Sequence, residues 1–517
     1  MSGSLGFQKS KMAIEKKGKK NHIELIFIGI AILLFILLRI PSLFEPHWYS
    51  DEGFLAAAGN SFKYDLKLYK DIYTNMSPGL FYIFYILKNP LNLNLALAKT
   101  INLFMSIISL LLIFKITNKI FSLKIANFLL IISSFLFGLP LLETNIITEE
   151  NFFLPFIMAS IYLVLEPNYF KLILAGISIG IGFWFSPKVA FVFIAILIYI
   201  FFLKYKTKSS YIKVKFITSF IIGLLIPLSF IYILLYINNN LSDFYNLVIK
   251  NNISSILNAK DESLGFIIIA NTIRTRTLLA FFSIVVITIL YIKRKIESKY
   301  FLIYLWLISA IYSVLLYQKP YIHYLIETIP IFIIIIGIYI IKFKDSKTNH
   351  NIIYIISFIL SIFLFFNLFS NGRSLRGNLN CSKYYINIFQ YLAKTIDSST
   401  YVNFFSSNTY NVYRLNSLLS QNYPSLKNVY IWTDNPWIYK LADVKPPTKY
   451  LLSYHAERDI ETVKQNIIKE KSLVIIIDEN SQNPQELIDF IITSGFEFER
   501  EFYGYKIFVL KEIAPQI

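Results

Sequence analysis

Residues 24–53 read ELIFIGIAILLFILLRIPSLFEPHWYSDEG. An apolar run over 24–43, with Arg39 near its end, is followed a few residues later by two adjacent carboxylates, Asp51 and Glu52. A helix that crosses the hydrocarbon core needs roughly 20 mostly apolar residues. The run is therefore a span, and the carboxylates fall where lipid meets water. The lysines ahead of it (Lys16, Lys17, Lys19, Lys20) resemble the basic head of a signal peptide. The apolar run is too long for one, and no small-residue cleavage site follows. The expectation is a retained helix with a cytoplasmic N-terminus.

The rest of the 517-residue chain repeats this texture: 55% of it is hydrophobic, 17% aromatic and only 16% charged. Soluble chains are about 25% charged, and a mean hydropathy of +0.54 points to an integral membrane protein. Disorder is excluded by the same figures. With Cys381 as the only cysteine, so are a disulfide scaffold and paired-cysteine metal sites. The formal net charge of +18 is gathered in short clusters at 1–23, 115–124, 204–215, 293–299 and 342–347. That is the positive-inside pattern of cytoplasmic loops, not a face for nucleic acid.

Further spans are predicted near 95–115, 122–140, 150–166, 171–186, 188–204, 214–236, 275–293, 300–317, 326–342 and 352–370, about 11 in all by length and hydropathy. An odd count puts the C-terminus outside, and every basic cluster then lies inside. The expected organisation is a cytoplasmic basic N-terminus (1–23), a transmembrane domain (24–370) with a first extracytoplasmic loop at 44–94, and an extracytoplasmic α/β domain (371–517). In the last part, 430–432, 473–477 and 505–510 read as strands, and 383–396, 457–470 and 484–494 as amphipathic helices. Internal repeats and glycine-rich phosphate loops do not occur in the sequence.

Polar residues collect on the outer side of this topology. A like-charged neighbour and partial desolvation would suit one member of the Asp51–Glu52 pair to general-base work. The plainer reading is Asp51 as the N-cap of an amphipathic helix over 54–62. A second acidic loop carries Glu143, Glu149 and Glu150; one acid opening a helix is ordinary, and three suggest a shared polar cavity. Outer cations are Arg39, Lys188, Arg274, Arg276, Lys319 and His323. The lysines and arginines fit either snorkelling to headgroups or a pocket for a phosphate at the membrane surface; His323 fits either a capping or packing histidine or a phosphate contact.

In order and in placement these features resemble the GT-C membrane glycosyltransferases, in particular the protein O-mannosyltransferase and aminoarabinose-transferase superfamily (dolichyl-phosphate-mannose mannosyltransferase-like). The resemblance covers nearly the whole chain. Asp51-Glu52 followed by Gly53-Phe54-Leu55-Ala56-Ala57 matches the acidic pair after the first helix. Tyr69-Lys70-Asp71 and Ser77-Pro78-Gly79-Leu80-Phe81-Tyr82 match the next segments. Thr148-Glu149 matches the second acidic loop, Gly176 to Lys188 a glycine-rich helix leading to a lysine, and His323-Tyr324 with Pro330 a histidine–tyrosine segment. Trp432 to Tyr439 resembles the extracytoplasmic domain of many members. Where some members carry a lysine before the first-loop proline, this chain has Asn75-Met76-Ser77.

The resemblance implies a polytopic all-α membrane protein of GT-C fold that moves a sugar, with inversion, from a polyprenyl-phosphate donor to a protein, glycolipid or glycan acceptor. It implies Asp51 as base, with Glu52 and Glu149 as further catalytic residues. Arg39, Asp71, Glu143, Glu150, Lys188, Arg274, Arg276, His323 and Tyr324 would bind substrate. No cofactor is required, and metal dependence is left open. Three rivals stand beside it. A transporter or flippase for lipid-linked sugars would show repeats and access from both sides. A membrane anchor without catalysis would tolerate loss of Asp51. An oligosaccharyltransferase would carry a Trp-Trp-Asp hallmark, which this sequence lacks.

Overall fold

The computed structural model describes residues 22–91, 95–203, 210–258, 272–316, 321–344, 381–423, 428–482 and 484–511. The basic N-terminus, Lys319 and the last expected span, 352–370, lie outside them. The helices in chain order are α1 (His22–Phe44), α2 (Ser50–Ser61), α3 (Gly79–Leu91), α4 (Leu95–Ile120), α5 (Leu123–Gly138), α6 (Glu149–Val164), α7 (Tyr169–Phe185), α8 (Val189–Phe202) and α9 (Ser210–Ile237). They continue with α10 (Leu241–Phe244), α11 (Asn251–Leu257), α12 (Ile273–Ile292), α13 (Ser298–Val314) and α14 (Ile329–Lys344). Among the described residues, five helices are long and apolar enough to cross a membrane: His22–Phe44, Leu95–Ile120, Tyr211–Ile237, Ile273–Ile292 and Ile322–Ile341. Helices α5, α7, α8 and α13 are apolar but shorter.

The chain divides into two compact units. The first holds residues 1–40, 101–228 and 259–375. Its helices pack through small residues. Gly176 of α7 and Gly223 of α9 lie so close to the opposite backbone that a methyl on either would overlap a carbonyl oxygen, Phe220 O or Ile173 O. Without a hydrophobic driving force between helices in lipid, such close approach supplies the van der Waals contact. The Trp184 indole N–H then donates to Pro227 O at 3.1 Å, the carbonyl at the proline inside α9.

The second unit holds residues 41–100, 229–258 and 376–517. Its sheet has the order β1 (Val429–Trp432), β2 (Val474–Asp478), β4 (Tyr505–Leu510), β3 (Phe496–Phe502). β1 and β2 are parallel, with Val429 opposite Val474, and β2–β4 and β4–β3 are antiparallel. Tyr430, Trp432, Ile475, Ile477 and Phe508 pack with Val463, Ile467, Leu487 and Ile491 from the helices that cross the sheet. Asp478, buried at the end of β2, accepts from Thr433 Oγ1 (2.9 Å), Asn408 Nδ2 (3.2 Å) and the Asn480 backbone (3.0 Å). Among the elements that went unassigned in the sequence are the polar helix Ser407–Asn422 and β3, an edge strand in which phenylalanine alternates with charge.

One sequence expectation is corrected. The helix after the acidic pair is not amphipathic, and Asp51 is not its N-cap. It begins at Ser50, and residues 52–61 are all buried. Its small residues (Gly53, Ala56, Ala57, Ala58, Gly59) let neighbours approach from several sides. Phe84 of α3 packs on Gly59, and Trp437 packs on Gly53.

Candidate functional site

In the second unit the acidic pair occupies the first turn of α2, where the helix dipole favours negative charge. The two carboxylates do not share an environment. Asp51 is exposed, and its Oδ2 accepts from the Tyr49 hydroxyl at 2.7 Å. Glu52 is fully buried, with Oε1 3.5 Å from Lys99 Nζ. Lys99, itself 1% exposed, also donates to Glu45 Oε2 at 2.7 Å. Glu45 further accepts from Trp48 Nε1 (3.0 Å) and from the Tyr384 hydroxyl (2.7 Å).

The C-terminal segment completes this surrounding. Trp437 Nε1 donates to Tyr49 O at 2.9 Å, and the Ser50 hydroxyl donates to Asp434 O. Tyr413 bonds both the backbone N–H and Nδ1 of His47, and the His47 ring sits edge-on to Trp437 at 4.5 Å. Burial, with Lys99 and Lys440 nearby, lowers the His47 pKa to about 4, so this ring is neutral at pH 7. Asp71 is spent locally: its carboxylate accepts from the Lys67 N–H at 2.9 Å and closes a turn.

In the first unit a second polar group forms around the loop between α5 and α6. Asn102 of α4 and Asn151 of α6 each donate to both Thr144 O and Ile146 O, which pins the loop from two helices. Glu143 takes a left-handed backbone (φ 55°) after the 3₁₀ turn Pro140–Leu142, a conformation uncommon outside glycine. Its Oε2 meets His323 Nδ1 at 3.2 Å. Glu150 pairs with Lys188 at 2.8 Å, and the Lys188 ammonium lies 3.7 Å from the centre of the Tyr324 ring. All four side chains (Glu143, His323, Glu150 and Lys188) are nearly inaccessible. Glu149 is half-buried.

The basic residues separate. Lys188 and His323 join this cluster. Arg276 donates to Leu315 O, at the C-terminal end of α13. That is a capping contact favoured by the helix dipole. Arg274 is exposed. Arg39 is buried in α1, its guanidinium carbon 5.9 Å from the Phe35 ring centre.

No family model matches the chain, and no curated protein matches it by sequence. Among solved structures, ArnT from Cupriavidus metallidurans bound to undecaprenyl phosphate matches with a TM-score of 0.55 at 9% identity. The match covers 94% of this chain and 97% of that one. The apo state of the same protein matches over the same shares with a TM-score of 0.54 at 11% identity. The chain has the GT-C fold.

That fold and the apolar helices make the chain a multi-pass membrane protein. Several polar residues that sequence reasoning passed over lie beside these groups: Glu45, Lys99 and Tyr384 near Glu52, and Glu327 near Lys188. Glu327 is 3% exposed in the 3₁₀ turn Ile322–Thr328, within electrostatic range of Lys188 and Glu150. Its Oε1 has no hydrogen-bond partner among the described residues. Lys99 and Glu327 did carry a signal, since each is an ionisable residue inside a stretch long and apolar enough to span. Such residues are functional candidates by default.

Proposed function

We propose that the protein is a membrane glycosyltransferase that takes a sugar from a polyprenyl-phosphate donor. The observation that carries this is the split acidic pair: on a chain of GT-C fold, one carboxylate of the first outer turn is open to solvent and oriented by a hydroxyl, while its neighbour is locked inside. The exposed member, Asp51, has the reach of a general base.

The reaction is a single displacement at the anomeric carbon. The acceptor hydroxyl oxygen forms a bond to that carbon as the bond to the phosphate oxygen breaks. The hydroxyl proton passes to Asp51, the electron pair leaves with the polyprenyl phosphate, and configuration inverts. Lys188, held between Glu150 and Tyr324, is the cation assigned to the phosphate, where it stabilises charge as it develops. His323 and Tyr324 line the same cluster, and Glu143 orients the histidine. Glu149 is assigned to the sugar or the acceptor. Arg276 and Asp71 serve structure on their geometry, and Glu52 orients the helix rather than touching substrate. The reading places the acceptor and the C-terminal segment on the extracytoplasmic side.

The test is release of free polyprenyl phosphate by the full-length protein in detergent, with a panel of undecaprenyl-phosphate monosaccharides and a membrane glycan extract as acceptor. Loss of a general base costs about 10²–10⁴ in rate, so Asp51→Asn should release lipid phosphate slower by that factor. Equal rates in the two proteins would refute Asp51 as base. No release from any donor, with uptake of lipid-linked sugar into proteoliposomes, would favour transport instead.

A further inference from the structure

Three charged side chains, Glu45, Glu52 and Lys99, are buried together beside the first turn of α2, at 6%, 0% and 1% exposure. The displacement proposed above uses none of them directly. Burying such groups costs desolvation, and an apolar trio of equal volume would stabilise a fold at least as well. What ionic contacts add is direction. Glu45 is fixed by donors from three segments: Trp48 beside it, Lys99 in α4, and Tyr384 in the helix Cys381–Leu392. So fixed, Glu45 orients the Lys99 ammonium, which reaches Glu52. With 3.6 residues per turn, neighbours on a helix point about 100° apart. Anchoring Glu52 inward therefore turns Asp51 outward, where the Tyr49 hydroxyl sets its carboxylate.

We infer that Lys99 is a positioning residue for Asp51, acting through Glu52, with Glu45 orienting the lysine. Tyr384 links the C-terminal segment to the same device. The inference rests on the reading of Asp51 as base. It predicts a defect in turnover rather than in donor binding, because the donor phosphate is assigned to Lys188 and not to these three side chains.

The experiment uses full-length protein in detergent and whichever undecaprenyl-phosphate monosaccharide supports release by the wild type. The readouts are kcat and donor KM per folded molecule, with the folded fraction taken from tryptophan fluorescence. A misplacement near 1 Å costs about 10²-fold. Lys99→Met should accordingly lower kcat by about 10- to 100-fold and leave donor KM unchanged. Lys99→Arg, which keeps the cation, should restore most of the rate. The triple variant Lys99→Met with Glu45→Gln and Glu52→Gln removes both carboxylate charges that loss of the lysine strands; it should regain thermal stability and stay slow. Recovery of kcat together with stability in that triple variant would make Lys99 merely structural and overturn the inference. An unchanged kcat in Lys99→Met, while Asp51→Asn is inactive, would overturn it alone. A wild-type rate in Asp51→Asn would remove the base reading and this inference with it.

Discussion

Gly53 sits where α2 meets Trp437, and the space there is quantified. A Cβ added at Gly53 would lie 2.7 Å from Trp437 Cδ1, 2.9 Å from Cγ and 3.0 Å from the Trp437 backbone nitrogen. Carbon atoms pack at about 3.5–4.0 Å, so something must shift by roughly 1 Å. The indole is poorly placed to yield: it is 1% exposed, bonded to Tyr49 O, and flanked by His47. Overpacking of this kind costs about 1–3 kcal/mol, and loss of the indole hydrogen bond adds about 1 kcal/mol. Better helix propensity returns about 1 kcal/mol for glycine to alanine. Gly53→Ala should therefore be less stable by roughly 1–3 kcal/mol. At about 2–4 °C per kcal/mol for a unit of 150–250 residues, the midpoint should fall by roughly 2–12 °C. The assay is tryptophan-fluorescence thermal unfolding in detergent at one fixed scan rate, because membrane proteins often unfold irreversibly. Gly29→Ala is the internal control, since nothing lies within 4 Å of a Cβ there. The same turn carries Asp51, so release of polyprenyl phosphate should fall as well. A Gly53→Ala protein with the wild-type midpoint would refute the claim that Trp437 clamps the acidic turn.

Other expectations follow from the charged groups. Lys188→Met strands Glu150, whose carboxylate lies 2.8 Å from the ammonium, and breaking a buried pair costs about 3–5 kcal/mol. The midpoint should drop, the double variant with Glu150→Gln should recover it, and neither should regain wild-type donor affinity. His47 has a folded pKa of about 4 against an ordinary 6.5. Its contribution to stability is complete above pH 6.5 and is lost as pH falls toward 4, where the unfolded state binds the extra proton. The loss is about 3 kcal/mol at full effect. His455 is lowered to about 4 by burial and Arg458 and adds in the same direction. His47→Gln should flatten, though not abolish, the acid limb of the midpoint-versus-pH curve. A slope equal to wild type would show that His47 is not the buried neutral ring described.

Much of the candidate site was legible because its residues are polar where their surroundings are not. Asp51, Glu143, Glu150, Lys188 and His323 stand out against apolar helices. Which of them pair was not legible. Glu143 finds His323 across 180 positions, and Glu150 finds Lys188 across 38. The helix after Asp51 was misread for a related reason. The sequence GFLAAAGNS shows no sharp apolar face, and its burial comes from Phe84 and Trp437, the latter far away in the chain. The helix Ser407–Asn422 was missed because serine and asparagine dominate its surface. Its buried face is only Thr409, Val412, Leu415, Leu418 and Leu419.

By itself the sequence determined that the chain lives in a membrane, and it marked the polar residues that stand out beside its apolar stretches. Those are consequences of hydropathy and of the high cost of unpaired charge in lipid, and both are local properties of a stretch of chain. Only the tertiary structure decided that Asp51 faces water while Glu52 is locked on Lys99, and that residues 41–100 and 376–517 share one compact unit. Such choices depend on contacts between residues hundreds of positions apart. Packing and hydrogen-bond geometry select them, and no local pattern of hydropathy records the selection.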